Sequence, residues 1–257
     1  MLLAIDVGNT QTVIGLYGSG ASRHELVDHW RMATNADRTS DEHALAVRDF
    51  LAIKGHEFTD VSGIAISSGV PSVTAALRLM ATRYFSVDPM VLGPGVKTGM
   101  PILIDNPKEV GADRIANAVG AFDLYGGPTI VVDFGTATTF DVISAAGEYL
   151  GGAITPGLRI SLEALFSRAA ALRNVELAEP RHAIGKSTVE AIQSGTVFGY
   201  AALVDGMCDR IMDEAGEATV IATGGLSVLL EPLTRSIEHR EPMLTLHGLR
   251  LIWEKNQ

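Results

Sequence analysis

Twice in this chain of 257 residues an apolar, β-rich run ends in Asp-x-Gly and then in small hydroxylated or amide residues: LLAIDVGNTQT at residues 2–12 and TIVVDFGTATT at residues 129–139. Such a corner has a chemical use. Glycine lets the backbone approach a phosphate closely, and the adjacent amides and threonine hydroxyls donate to its oxygens. The aspartate sits near enough to hold a cation, directly or through water, that neutralises the phosphate. One corner of this kind reads first as a tight β-hairpin in which Asp and Gly satisfy turn geometry. Two corners, with Asp6 aligned to Asp133 and Gly8 to Gly135 at an offset of 127, favour the phosphate reading.

The offset is almost half the chain, so it predicts a duplicated fold: two similar α/β halves packed face to face, residues 1–125 and 126–257. The boundary falls at Tyr125-Gly126-Gly127-Pro128, where turn residues separate a helical pattern from a strand. In the first half, strands are predicted before Asp6, over Thr12–Tyr17, His24–Met32 and Ile64–Ser67. Helices are predicted from Ser40 to Gly55, over Pro71–Tyr84 and from Asn106-Pro107 onward. In the second half Phe140–Ile143 and Ala218–Ala222 read as strands. Gly157–Ala171, Thr188–Glu214 and Leu246–Lys255 read as helices. Strands followed by helices in both halves make an α/β protein.

Composition narrows the partners. Acidic residues outnumber basic ones 30 to 20, a net charge of -10, which argues against nucleic acid and against an anionic membrane face. An acidic chain that binds an anionic ligand must make local positive potential from metal ions, oriented amides and helix ends. Cys208 is the single cysteine, on an apolar helix pattern with Leu203, Val204, Met207 and Ile211; it reads as a buried structural thiol in a reducing compartment. No HExxH or CxxC pair suggests structural zinc, and no apolar run reaches the ~18 residues of a membrane span. The N-terminus meets Asp6 too early for a signal peptide and reads as a strand. Gly185-Lys186-Ser187 looks like the end of a Walker loop, but Pro180 stands where its first glycine is needed. Gly93–Gly99 is glycine-rich without a strand-to-helix frame and reads as a turn or a mobile loop.

The paired Asp-x-Gly-x-Thr corners resemble the two phosphate loops of the actin/Hsp70/sugar-kinase superfamily, and Ala222-Thr223-Gly224-Gly225-Leu226 resembles its adenosine-contacting turn. The segments DNPKEVGADRI at 105–115, DFGTATTFDV at 133–142, GGAITPGL at 151–158, GKST at 185–188 and LTLHGLRLI at 244–252 are similar to type III pantothenate kinases. The likeness runs from residue 3 to 254. It departs at Gly69, where a β-branched residue is usual, and at Thr155, where Ala is common.

This resemblance implies a duplicated actin-like (ribonuclease H-like) ATPase fold with a cleft between its halves. It also implies ATP-dependent phosphorylation of the pantothenate 4′-hydroxyl, the first step of coenzyme A biosynthesis, in a cytoplasmic homodimer. Asp113 matches the family's base; on residue type alone it is equally a first-turn helix aspartate favoured by the dipole. Asp6, Val7, Gly8, Asn9, Thr10, Gln11, Thr12 and Val13, with Thr136, match ATP contacts. Asp6 would also hold Mg²⁺, possibly through water, and Asp133 a monovalent cation, K⁺ or NH4⁺. Gly111, Ala112, Asp113, Arg114 and Thr188 match pantothenate contacts. Thr188 or Ser187 could equally be a helix N-cap. The competing expectation is a non-catalytic member of the family acting as a regulatory or accessory protein.

Overall fold

The computed structural model describes residues 1–169 and 175–257. The first unit is built on a five-stranded sheet of β1 (Leu2–Val7), β2 (Gln11–Tyr17), β3 (Leu26–Ala33), β4 (Gly63–Ser68) and β5 (Met90–Val91), in the order β3-β2-β1-β4-β5. The first three strands form an antiparallel meander, and β4 and β5 continue the sheet parallel to β1. Leu3, Ile5 and Val7 point to one face, where they pack with α1 (Ser40–Ile53) and α2 (Pro71–Met80). A capping box starts α1: Thr39 Oγ1 accepts from Glu42 N, and Glu42 Oε2 accepts from Thr39 N at 2.8 Å.

The chain then reaches α3 (Ala112–Tyr125) and the second sheet: β6 (Thr129–Phe134), β7 (Ala137–Ile143), β8 (Tyr149–Pro156), β9 (Thr219–Thr223) and β10 (His239–Arg240). Read from the β8 edge its order is β8-β7-β6-β9-β10, with an antiparallel meander followed by parallel strands, so it repeats the first sheet strand for strand. Ile130, Val132, Phe134 and Phe140 form a core with α4 (Leu158–Arg168) and α5 (Thr188–Ala215), which includes fully buried Cys208. Burial, helped by the charges of Asp205 and Asp209, pushes that thiol up to about 12. The remaining α-helices among the described residues are the single turn α6 (Ser227–Leu230) and α7 (Leu244–Lys255).

By packing, the two compact units are residues 1–99, 106–120 and 245–257, and residues 100–105 and 121–244. A cut at 125/126 separates the two sheets, whereas by packing α7 counts with the first. The reason is burial on both faces: β1 and β4 are almost wholly buried, so the face opposite α1 and α2 also needs a cover. On that face Gly15 lies under Leu246 and Gly63 under the Trp253 ring, both of α7. Gly248 brings α7 so close to α3 that a Cβ there would collide with the Ala116 carbonyl, and Thr245 Oγ1 donates to buried Asn117 Oδ1 at 2.7 Å.

Four local expectations differ from what is found. The helix from Pro71 changes to a wider π turn over Ala81–Phe85 and ends at left-handed Ser86 (φ 54°). The helix expected from Asn106 is one 3₁₀ turn, Pro107–Glu109, capped by Asn106; Val110 is extended, and α3 begins only at Ala112. The strands β5, β8 and β10 were not expected, the first and last being two residues each, and β8 being disguised by Gly151-Gly152. The helix expected over 157–171 covers Leu158–Arg168; positions 170 and 171 lie outside the described residues.

Two outcomes follow from this packing. Gly248→Val sets a β-branched side chain against a backbone carbonyl that has no room to yield, so it lowers unfolding free energy by at least about 1–3 kcal/mol; an unchanged denaturation midpoint would contradict the α3–α7 contact. His43 of α1 is buried with Nε2 unpartnered, and burial, then the charge of Arg38, lowers its pKa from 6.5 to about 4. The unfolded chain therefore binds a proton that the folded chain refuses. Stability falls as pH drops through 6.5 and levels off below about 4, a loss of roughly 3 kcal/mol in full. Denaturation of wild type and His43→Leu across that window should show a smaller slope in the variant.

Candidate active site

The first corner is a four-residue loop, since Val7 still pairs with Thr12 across β1 and β2. Gly8 N closes it by donating to Gln11 O at 3.0 Å. Asn9, Thr10 and Gln11 are exposed, whereas Val7 and Thr12 are buried. The Thr12 hydroxyl is turned inward and lies 2.9 Å from Thr34 Oγ1. Asp6 is half-buried at the end of β1, opposite Val13 and beside Ser67 of β4. Ser67 is fully buried and its Oγ has no partner, which makes it a neighbour of Asp6 that the sequence did not point to.

The second corner is one residue tighter. Phe134 pairs with Thr138, and Gly135 N donates to Ala137 O at 3.0 Å. The repeat offset therefore drops by one after the loop, so that Thr12 corresponds to Thr138. Asp133 is half-buried and Thr136 exposed. Because β9 runs parallel to β6 with Thr223 beside Asp133, the Thr223-Gly224-Gly225 turn lands on this corner. Gly224 has φ +86°, and a Cβ there would lie 2.5 Å from Asp133 Oδ1 and 2.7 Å from Phe134 N. Ser227 Oγ fixes the turn by donating to Gly224 O at 2.7 Å. Only glycine permits both the positive φ and that approach.

Among the described residues no three His, Cys, Asp or Glu side chains converge. A cation at Asp6 or Asp133 would therefore complete its shell with water, phosphate or carbonyl oxygens. That suits Mg²⁺, which keeps several waters and is held by one or two carboxylates plus phosphate.

Gly111–Arg114 sit at the start of α3, where Gly111 O accepts the helix-opening bond from Ile115 N at 3.1 Å. Asp113 is exposed in the first turn; its Oδ1 accepts from Arg114 N at 2.9 Å and lies over Gly111, where a Cβ would collide with it. The carboxylate is therefore bent back along the helix start, and Gly111 leaves it room to be there. Thr188 is the first residue of α5, and the cap is Ser187, whose Oγ accepts from Glu190 N at 3.2 Å. Thr188 is exposed and lines a cavity of about 620 Å³ between α4 and α5 with Ser161, Leu165, Ile192 and Tyr200, within the range of small-molecule pockets. Gly185 packs on the start of α5, and Lys186 N donates to Glu190 Oε2 at 2.8 Å, so GKS is a helix lead-in. The Gly93–Gly99 segment is a turn tied to the end of the chain: Lys97 N donates to Asn256 Oδ1 at 3.1 Å.

Residues 2–210 match the family described as Type III pantothenate kinase. The chain belongs to that family. A type III pantothenate kinase of Moorella thermoacetica is 51% identical over 257 residues, covering all of both chains, and one of Streptomyces avermitilis is 54% identical over 265 residues, covering 100% of this chain and 98% of that one. Among solved structures, the activator of the 2-hydroxyisocaproyl-CoA dehydratase from Clostridium difficile with bound ADPNP superposes with a TM-score of 0.59 at 10% identity, covering 99% of this chain and 96% of that one. The ethanolamine utilization protein EutJ from Carboxydothermus hydrogenoformans gives 0.54 at 14% identity over 97% and 89%. At these identities the likeness is one of fold: the duplicated two-lobed α/β architecture expected from the repeat.

In this member of the family the Gly224 contact can be tested directly. Gly224→Ala forces Asp133 or the Phe134 backbone to move, so kcat/KM for ATP should fall by about 10–100-fold. Steady-state kinetics within twofold of wild type would show that the corner tolerates displacement.

Proposed function

We propose that this chain transfers the γ-phosphoryl group of ATP to the 4′-hydroxyl of pantothenate, giving 4′-phosphopantothenate and opening coenzyme A biosynthesis. Full-length relatives about 50% identical support the reading, together with the intact aspartates at both corners and at the start of α3. Asp113 accepts the proton that the hydroxyl loses as its oxygen attacks phosphorus, a contribution of about 10²–10⁴. Alignment and electrostatics supply the larger share, because loose phosphoryl transfer asks for little covalent help.

Asp6–Val13 and Thr136 are the proposed ATP contacts. The exposed Asn9–Gln11 arc is the part of the first loop that can meet a phosphate directly; buried Val7 and Thr12 hold its ends. Mg²⁺ at Asp6, directly or through water, and K⁺ or NH4⁺ at Asp133 would supply positive charge that an acidic chain lacks. Gly111–Arg114 and Thr188 are the proposed pantothenate contacts. Free amides at the starts of α3 and α5, with the Arg114 guanidinium, favour a carboxylate. Ile154, Ile160, Leu165 and Val189 are exposed, which supports a homodimer through this region, in the cytoplasm where its pathway runs. We take residues 1–125 and 126–257 as the units of the original duplication.

The Asp113→Asn variant should lose about 10²–10⁴ in kcat while binding ATP as wild type does. Undiminished turnover would remove Asp113 as the base. The same assay without a monovalent cation should lose activity that K⁺ or NH4⁺ restores, and a wild type that leaves pantothenate unphosphorylated would overturn the reading as a whole.

A further inference from the structure

We propose that Thr34 is a positioning residue of the first phosphate loop, holding the carbonyl oxygens of Gly8 and Thr10 so that the loop's remaining amides are left for the polyphosphate. The proposal rests on reading Asp6–Val13 as the ATP loop. Thr34 is the residue that follows β3, remote in sequence from the Asp-x-Gly motif, yet it makes three contacts to the loop. Its backbone N donates to Thr10 O at 3.0 Å, and its Oγ1 donates to Gly8 O at 2.7 Å. The third is the 2.9 Å contact with Thr12 Oγ1.

Counting protons gives the third bond its direction. A hydroxyl has one proton and two lone pairs. Thr34 gives its proton to Gly8 O, so Thr12 must donate into Thr34 Oγ1. The chain Thr12 to Thr34 to Gly8 O therefore uses the Thr12 hydroxyl proton inside the fold. With Gln11 O accepting from Gly8 N, the carbonyls of Gly8, Thr10 and Gln11 are all bonded within the first unit. A carbonyl oxygen left facing a phosphate would repel it, and these three are held elsewhere.

The duplicated half supplies an internal comparison. Ala33 pairs with Gln11 as Pro156 pairs with Ala137, so Thr34 and Gly157 are equivalent places. Gly157 N donates to Thr136 O at 3.1 Å, the counterpart of Thr34 N to Thr10 O. There the side chain is absent, and a Cβ would collide with the carbonyl of Thr136 and come within 2.8 Å of that of Gly135. The shorter loop closes directly on backbone. The longer first loop stands off by one residue, and the Thr34 hydroxyl fills that gap with a hydrogen bond.

The test is equilibrium binding of Mg·ATP, with pantothenate KM and melting temperature, for wild type, Thr34→Val, Thr34→Ser and Asp6→Asn. Thr34→Val keeps the shape and loses the hydroxyl; it should weaken Mg·ATP binding by about tenfold and leave pantothenate KM within about twofold. Thr34→Ser should restore binding to within about threefold of wild type. Wild-type Mg·ATP binding in Thr34→Val while Asp6→Asn weakens it would overturn the proposal. So would equal losses for ATP and pantothenate with a lowered melting temperature, the mark of a merely structural residue, or failure of Ser to restore binding. If Asp6→Asn leaves Mg·ATP binding unchanged, the loop reading itself falls, and the role of Thr34 with it.

Discussion

A backbone loop that is to receive an anion has to dispose of its own carbonyl oxygens, because each residue that offers an N–H also carries an acceptor that repels the ligand. Under the proposed function, both corners meet that requirement. Both corners spend one amide on closing the hairpin, Gly8 to Gln11 O and Gly135 to Ala137 O. Both then rely on the residue after the third strand to take a further carbonyl. The meander of three antiparallel strands is what returns that third strand to the loop. The parallel strands beyond it serve a second end, bringing Ser67 beside Asp6 and Thr223 beside Asp133.

Close approach recurs wherever an element must press on a site. Gly224 lets a turn reach the Asp133 carboxylate, Gly111 leaves room for that of Asp113, and Gly248 lets α7 lie on α3. The last of these ties chain end to chemistry. With β1 and β4 buried on both faces, the first sheet needs a second layer, and α7 completes it while setting α3, which carries Gly111–Arg114 near its start.

The acidic balance of the chain fits this design. Among the described residues no three carboxylate, His or Cys side chains converge, and each corner's strand ends in one aspartate followed by glycine and hydroxyl side chains. On the proposed reading, charge complementarity toward ATP and pantothenate would rest on helix starts, on Arg114 and on cations that arrive with phosphate. On the same reading metal and nucleotide would be coupled: one carboxylate would bind Mg²⁺ weakly, and the polyphosphate would supply further oxygens.

The amino-acid sequence by itself determined the duplication, the position of both corners and the family, because a strand ending in Asp-x-Gly is a local pattern and its recurrence needs no contact to be recognised. It also determined that Cys208 is buried, from helical periodicity alone. Only the tertiary structure decided which residues stand behind the motifs. Thr34 and Ser67 carry no signature, and they matter because of strand register, a long-range property. Sequence left Ser187 and Thr188 as equal candidates for one cap; the backbone at residue 187 chose. It placed α7 with the half it follows, whereas the unmet burial of the first sheet drew that helix back. Local pairing preferences specify a corner, but the neighbours of that corner are set by which faces remain to be covered.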